Sequence, residues 1–171
     1  LHGDIGPLRK WLSLDKDAPI ILYQGGISEG RGLPTLLQAM NYITYPEVNL
    51  VFLGGGAFIE KLKNQVTTSE SKRNIHFLPS VPQQELYYWT NDATIGVHPM
   101  EGICANHRLA LPNKLFEYIQ AGLPVLVTNL PEMAKIVKQY NVGAVFEDGD
   151  PQSLALALDN MLYDSSLLAT Y

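Results

Sequence analysis

The chain has 171 residues, of which 46% are hydrophobic and 17% charged, and a formal net charge of −5. The acidic balance argues against a nucleic-acid-binding protein, because such proteins usually carry a surplus of basic residues. Cys104 is the only cysteine, which excludes an internal disulfide and favours a reducing, cytoplasmic setting, and no apolar run approaches the roughly 20 residues needed to span a bilayer.

Short apolar runs alternate along the chain with segments whose apolar residues have helical spacing. Residues 1–18 are expected to form a linker with a short helix. Strands are predicted, in chain order, at residues 20–24, 48–53, 74–78, 93–98, 124–128 and 143–147. Helices are predicted at residues 32–43, 57–66, 83–91, 112–121, 133–140 and 151–162, with an irregular stretch at 99–111.

The alternation of strands and helices predicts the fold class. Strands that are apolar throughout are buried on both faces, as a parallel sheet requires. Regular strand–helix alternation predicts an α/β domain with a doubly wound parallel sheet, here over residues 19–171. We expect Tyr87, Tyr88 and Trp89 to pack the helix at 83–91 against this sheet. Ligands of such sheets bind beyond the carboxyl ends of the strands, which directs attention to the segments after each strand.

The segment QGGISEGRG at residues 24–32 follows the first strand and precedes a helix, the setting of many phosphate-binding turns. Its glycine spacing nearly matches a P-loop, but Gly32 stands where Ser or Thr should bind magnesium. A dinucleotide fingerprint is disfavoured because the glycines are mis-spaced. The remaining interpretation is that Gly25 and Gly26 admit a ligand to the backbone and Arg31 reaches its phosphate. The alternative is a tight turn with a solvated arginine.

The helix predicted at 112–121 has an unusual charge near its start. Pro112 suits the first helical position and Gly122 the position after the end. Lys114 lies in the first turn, where the helix dipole disfavours a cation unless an anion binds there. Glu117, about one turn further, can accept two hydroxyl hydrogen bonds from a ribose. The alternative is an ordinary surface pair between Lys114 and Glu117.

A metal site is a further hypothesis for the irregular stretch. Four residues of types that bind zinc recur every three positions, at His98, Glu101, Cys104 and His107. Pro99 and Gly102 interrupt any regular helix that would align them, so a loop at the ligand edge of the sheet is favoured over a metal site.

Three stretches together resemble the C-terminal half of a family 4 glycosyltransferase of the GT-B fold. They are YQGGISEGRG at 23–32, LPNKLFEYIQAGLPVLVTNLPEM at 111–133 and NVGAVFEDGDPQSLALALDNML at 141–162. The resemblance implies a Rossmann-like domain that binds a nucleotide-diphosphate sugar without a metal or other cofactor. It implies transfer of the sugar, usually with retention of configuration, to a glycan or lipid-linked acceptor bound through an N-terminal domain.

The resemblance also implies roles for residues. Arg31 matches the basic residue that contacts the diphosphate, and Glu117 matches the glutamate that typically binds ribose. Lys114 lies in a Pro-Asn-Lys variant of the donor-binding helix. The donor-binding set is expected to comprise Gly25, Gly26, Arg31, Asn113, Lys114, Leu115 and Glu117, with base contacts from Leu78, Pro79 and Val81.

The sequence departs from the family pattern at two positions. Leu109 stands eight residues before Glu117, where the first glutamate of the family motif usually addresses the donor sugar, so Glu101 and Asn106 are the candidate replacements. Gly26 stands where many members have an arginine. We expect this chain alone to bind donor weakly and to transfer nothing, and its longer form to work in surface polysaccharide assembly in the cytoplasm, at the inner face of the membrane. The alternatives are half of a nucleotide-sugar epimerase and a non-catalytic nucleotide-sensing or protein-binding module.

Overall fold

The computed structural model describes residues 5–68, 74–164, 166 and 168. Its centre is a parallel six-stranded sheet with the order β3-β2-β1-β4-β5-β6. The strands are β1 (Ile20–Gln24), β2 (Asn49–Leu53), β3 (Asn74–Leu78), β4 (Ile95–His98), β5 (Val125–Thr128) and β6 (Gly143–Phe146). This is the doubly wound arrangement predicted from the sequence.

Helices connect the strands and cover both faces of the sheet. In chain order they are α1 (Pro7–Leu12), α2 (Leu33–Ala39), α3 (Ile59–Thr68), α4 (Gln83–Asn91), α5 (Ala105–Arg108), α6 (Asn113–Gln120), α7 (Pro131–Tyr140) and α8 (Pro151–Tyr163). Among the described residues, no helix is both long and apolar enough to cross a membrane.

Alternate residues of each strand belong to two separate cores, one on each face. Ile21 faces the core formed with α2, α3 and α8, whereas Leu22 faces the core formed with α1, α4, α6 and α7. Strands β1, β2, β4 and β5 are buried along their whole length, and the edge strands β3 and β6 are partly exposed. The continuous apolar runs of the four inner strands follow from this burial on two sides.

The winding of the chain reverses between β1 and β4, which are neighbours in the sheet although two strands separate them in sequence. Their carboxyl ends are Gln24 and His98, both buried. Connections leave this point in opposite directions, so a crevice opens above it, and this is where open α/β sheets bind their ligands.

Several predicted features differ from the structure. The helix expected at 32–43 is confined to Leu33–Ala39, and helix α5 occupies part of the stretch expected to be irregular. Tyr87 and Tyr88 are 50% and 65% exposed and do not pack α4 on the sheet. Leu86, Trp89 and Thr90 point inward instead, and their i, i+3, i+4 spacing leaves both tyrosines on the outer side.

Candidate donor-binding site

Helix α6 directs its N-terminus at the switch-point crevice. The helix begins at Asn113, one residue later than predicted. Pro112 directly precedes it in an extended conformation instead of occupying the first helical position. At the other end Gly122 has φ +71°, and the N–H groups of Gly122 and Leu123 donate to the carbonyls of Ile119 and Tyr118. This pair of bonds is a Schellman motif, which fixes where the helix ends.

Lys114 folds back from the first turn of α6 over strand β1. Its Nζ lies 3.3 Å from the hydroxyl oxygen of Tyr23 and 4.8 Å from the centre of that ring. Burial, and secondly the charge of Arg31, lower the pKa of Lys114 to about 8, while Glu117 acts in the opposite direction. Within the described part of the chain Lys114 has no carboxylate within ion-pair distance, which excludes the Lys114–Glu117 pair considered from the sequence.

The glycine turn after β1 makes room for this lysine. Gly25 has φ +101°, and a Cβ at this position would lie 3.2 Å from the Nζ of Lys114. Gly25, Arg31, Asn113, Lys114 and Glu117 line one open cleft of about 390 Å³. Five of the seven residues predicted to bind the donor are therefore brought together at the switch point.

The other two predicted residues, Gly26 and Leu115, are not among the residues that line this cleft. A Cβ at Gly26 would meet open space, with no described atom within 4 Å. Leu115 is fully buried, and its backbone N–H donates to the carbonyl of Pro112, so neither its side chain nor its N–H is available to a ligand.

Glu117 is oriented by a buried amide that the sequence did not reveal as part of the site. The Nε2 of Gln24 donates to Oε2 of Glu117 over 2.7 Å, and the hydroxyl of Thr90 donates to Oε1 of Gln24 over 2.7 Å. Glu117 lines both the cleft that contains Lys114 and a second cleft of about 260 Å³ between α4 and α6. The polar Gln24 at the end of the apolar strand IILYQ was the signal available in the sequence.

His98, at the carboxyl end of β4, is fully buried. Neither ring nitrogen has a hydrogen-bond partner among the described residues. Burial, followed by the charges of Lys114, Arg31 and His107, lowers the pKa of His98 to about 3, so the ring is neutral at physiological pH. From the sequence, His98 was a candidate only for binding a metal ion.

The remaining predicted residues lie around the crevice. Leu78, Pro79 and Val81 line a separate cleft of about 260 Å³ together with Trp11 and Trp89 on the other side of α4. Leu78 is only 4% exposed, and its carbonyl accepts from the N–H of Gly54, so it offers little surface to a ligand there.

The two candidate sugar contacts lie in the segment that follows β4. Oε1 of Glu101 accepts from the hydroxyl of Thr35 over 3.2 Å, and its carbonyl is 2.8 Å from Nδ1 of His107. Asn106 is exposed on α5. This segment contacts the glycine turn, because His107 and Ile103 both lie within 3.3 Å of a Cβ placed at Gly30. Among the described residues no three His, Cys, Asp or Glu side chains are grouped as a metal ion would require.

A doubly wound sheet with a cationic crevice at its switch point defines a Rossmann-like ligand-binding domain. The sequence matches the family described as Glycosyl transferases group 1 over residues 4–171. The chain therefore belongs to this glycosyltransferase family. No curated protein matches it.

Solved structures show the same fold. Anabaena HepE in complex with UDP and glucose is 19% identical with a TM-score of 0.78, covering 99% of this chain and 45% of HepE. The C-terminal domain of the group 1 glycosyltransferase LpcC from Francisella tularensis is 19% identical with a TM-score of 0.73, covering 98% of this chain and 86% of that domain. WaaG, a glycosyltransferase involved in lipopolysaccharide biosynthesis, is 23% identical with a TM-score of 0.71, covering 94% of this chain and 42% of WaaG. The chain thus spans less than half the length of HepE and WaaG and has the fold of the C-terminal half of GT-B glycosyltransferases.

Proposed function

We propose that this chain binds the nucleotide-diphosphate sugar donor of a retaining glycosyltransferase, which transfers the sugar to a glycan or lipid-linked acceptor held by a separate N-terminal domain. The observation that carries the proposal is the pair of cations at the switch point. Arg31 and Lys114 line one cleft with the N-terminus of α6, and neither has an ion-pair partner among the described residues.

Two cations in one cleft repel each other, which is costly unless an anion binds between them. The N–H groups of Asn113 and Lys114, the first two residues of α6, have no partner within the helix, and the helix dipole favours negative charge at the same point. A diphosphate placed there would contact the guanidinium, the ammonium and these N–H groups together. The nearby carboxylate of Glu117, which would repel phosphate, suits the hydroxyl groups of a ribose instead.

The same groups would assist the chemical step. When the bond between the anomeric carbon and the diphosphate oxygen breaks, its electron pair remains on the leaving diphosphate. Arg31, Lys114 and the N-terminus of α6 would stabilise that developing charge, since all three line the cleft proposed to hold the diphosphate. No nucleophile from this chain is required for this role.

The finer parts of the proposal rest on the resemblance and on the relatives. UDP is the proposed nucleotide, supported by the UDP and UDP-glucose complexes of HepE. The base is proposed to lie toward Leu78, Pro79 and Val81, and the sugar toward Glu101 and Asn106. Work in surface polysaccharide or glycoconjugate assembly, on the cytoplasmic side of a membrane, is proposed by analogy with WaaG.

The direct test is calorimetric titration of the chain with UDP, GDP and UDP-glucose. We expect binding of at least one nucleotide, weakened about tenfold in Glu117→Ala because a charged hydrogen-bond acceptor is lost. The matched control is Glu60→Ala, which removes an exposed carboxylate from α3. Absence of nucleotide binding, or equal binding by Glu117→Ala and the wild type, would favour a non-catalytic module.

A further inference from the structure

A buried chain of polar side chains connects three elements behind the candidate ribose site. Gln24 on β1 and Thr90 on α4 are each 1% exposed, and they link α4 through β1 to Glu117 on α6. The hydroxyl oxygen of Thr90 also lies 2.8 Å from the carbonyl oxygen of Leu86 in its own helix, so its single proton is shared between that carbonyl and Oε1 of Gln24. Buried polar groups of this kind are destabilising unless each of them is hydrogen-bonded, so the fold depends on these contacts being kept.

Glu117 fixes the direction of the Gln24 amide. A carboxylate only accepts hydrogen bonds, so the NH₂ end of the amide must face Glu117. The amide oxygen then faces Thr90, whose hydroxyl can donate to it. Rotating the amide by 180° would place its oxygen against the carboxylate oxygen, which is repulsive. The amide in turn fixes Oε2 of Glu117 at 2.7 Å from Nε2.

This contact leaves the remaining acceptor capacity of Glu117 for a ligand. The carboxylate has about four lone-pair directions, of which Gln24 uses one. Glu117 is partly exposed at the border of two clefts of about 390 and 260 Å³, and no other described donor contacts it. Its unengaged oxygen is therefore available at the place where the two clefts meet.

We infer that Thr90 and Gln24 are positioning residues that orient Glu117 to recognise the ribose hydroxyls of the donor nucleotide. The inference rests on the proposed function and deepens it, because it assigns the discrimination between ribose and deoxyribose to a buried relay rather than to Glu117 alone. Without the relay, Glu117 keeps its charge and its place on α6 but loses the fixed orientation on which bidentate recognition depends.

The test compares the affinities of the chain for UDP and for 2′-deoxy-UDP. The wild type is expected to prefer UDP by about tenfold, the worth of one hydrogen bond to a charged group. Thr90→Val, which keeps the side-chain shape but removes the hydroxyl, should reduce this preference to about twofold. Thr90→Ser, which retains the hydroxyl, should restore it. Gln24→Met removes the amide and is expected to behave like Thr90→Val, giving a second variant if Thr90→Val fails to fold.

Affinity for inorganic pyrophosphate provides the readout that a general loss of structure would change. The affinity for pyrophosphate is expected to be the same in the wild type, Thr90→Val, Thr90→Ser and Gln24→Met. The reason is that the proposed diphosphate contacts are made by Arg31 and Lys114. A Thr90→Val or Gln24→Met protein that folds and keeps the full preference for UDP would overturn the inference. If Glu117→Gln abolishes the preference while both relay variants retain it, only the relay is contradicted. If the wild type binds neither nucleotide, the proposed function and the relay are both overturned.

Discussion

Lys114 and Glu117 lie one helical turn apart on α6, yet their opposite charges do not pair. The ammonium of Lys114 turns to the hydroxyl and ring of Tyr23, and the carboxylate of Glu117 turns to the amide of Gln24. Residues at this spacing on a helix usually attract each other when their charges are opposite. Their separate partners keep a cation and an acceptor available side by side, as a ligand with a diphosphate and a sugar diol requires.

Binding of UDP should be accompanied by proton uptake at Lys114. The pKa of this lysine is lowered to about 8, and a bound diphosphate would raise it again because the charged form gains an anionic partner. At pH 8.5 about 0.7 proton should be taken up per UDP bound. Calorimetry in buffers of different ionisation enthalpy measures this number. Lys114→Met should abolish the uptake and weaken UDP binding about tenfold or more, whereas the exposed Lys138→Met should change neither. Uptake that persists in Lys114→Met would contradict the assignment.

Gly25→Ala should impair both folding and ligand binding, whereas Gly26→Ala should not. Gly25 has φ +101°, where an L-residue is strained by roughly 1–2 kcal/mol, and the added Cβ would approach the ammonium of Lys114. Gly26 lies outside the left-handed region and faces open space. We expect Gly25→Ala to lower the free energy of unfolding by about that amount and to weaken UDP binding about fivefold. Urea denaturation and calorimetry measure the two effects, and equal behaviour of the two variants would refute the explanation.

His98 should make the protein sensitive to acid. Its pKa is about 3 in the folded chain, well below the ordinary value of 6.5, so between these values the unfolded chain binds a proton that the folded chain does not. The free energy of unfolding should therefore fall by about 1.4 kcal/mol for each pH unit below 6.5 from this group alone. His98→Leu should remove this dependence of the free energy of unfolding on pH. It should not lower the free energy of unfolding at pH 7 through lost hydrogen bonds, because the two ring nitrogens that it deletes have no partner among the described residues. Parallel slopes for both proteins in urea titrations at pH 7, 6 and 5 would disprove this account.

Asp159 on α8 should stabilise the turn after α2. Its carboxylate accepts from the backbone N–H groups of Thr44 and Tyr45 and from the hydroxyl of Thr44, over 2.8 to 3.1 Å, and it is 8% exposed. Asp159→Ala should lower the free energy of unfolding by about 2–4 kcal/mol, since these donors lose a charged acceptor. The neighbouring, exposed Asn160→Ala should cost less than about 0.5 kcal/mol. Similar denaturation midpoints for the two variants would contradict this role.

The strands were the most predictable part of the fold. Each is an apolar run ended by glycine, proline or a polar residue, and β1 and β3 begin and end at the predicted residues. Helix α5 has only four residues, too few for an apolar period to be recognised in the sequence. Tyr87 and Tyr88 lie on the outer side of α4 because Leu86, Trp89 and Thr90 form its packed face. The sequence alone did not show which of these two sets of residues would face the sheet.

The site was predictable where one segment contains its own signal. Arg31 after the glycines and Lys114 with Glu117 at a helix start are local patterns, and the fold brings them to one cleft. Gln24, Thr90 and His98 lie on separate elements, and their roles depend on β1 and β4 being neighbours in the sheet. The polar Gln24 at the end of an apolar strand was a local signal, but the sequence alone does not specify which elements lie beside it, so the contacts of these residues could not be assigned before the topology was known.

The central claim is that a diphosphate binds between Arg31, Lys114 and the N-terminus of α6. A crystal structure of the chain with UDP tests it most directly. The account predicts the pyrophosphate within hydrogen-bond distance of Nζ of Lys114 and of the guanidinium of Arg31, with ribose hydroxyls on Glu117. A pyrophosphate bound elsewhere, with Lys114 still turned onto Tyr23, would contradict it.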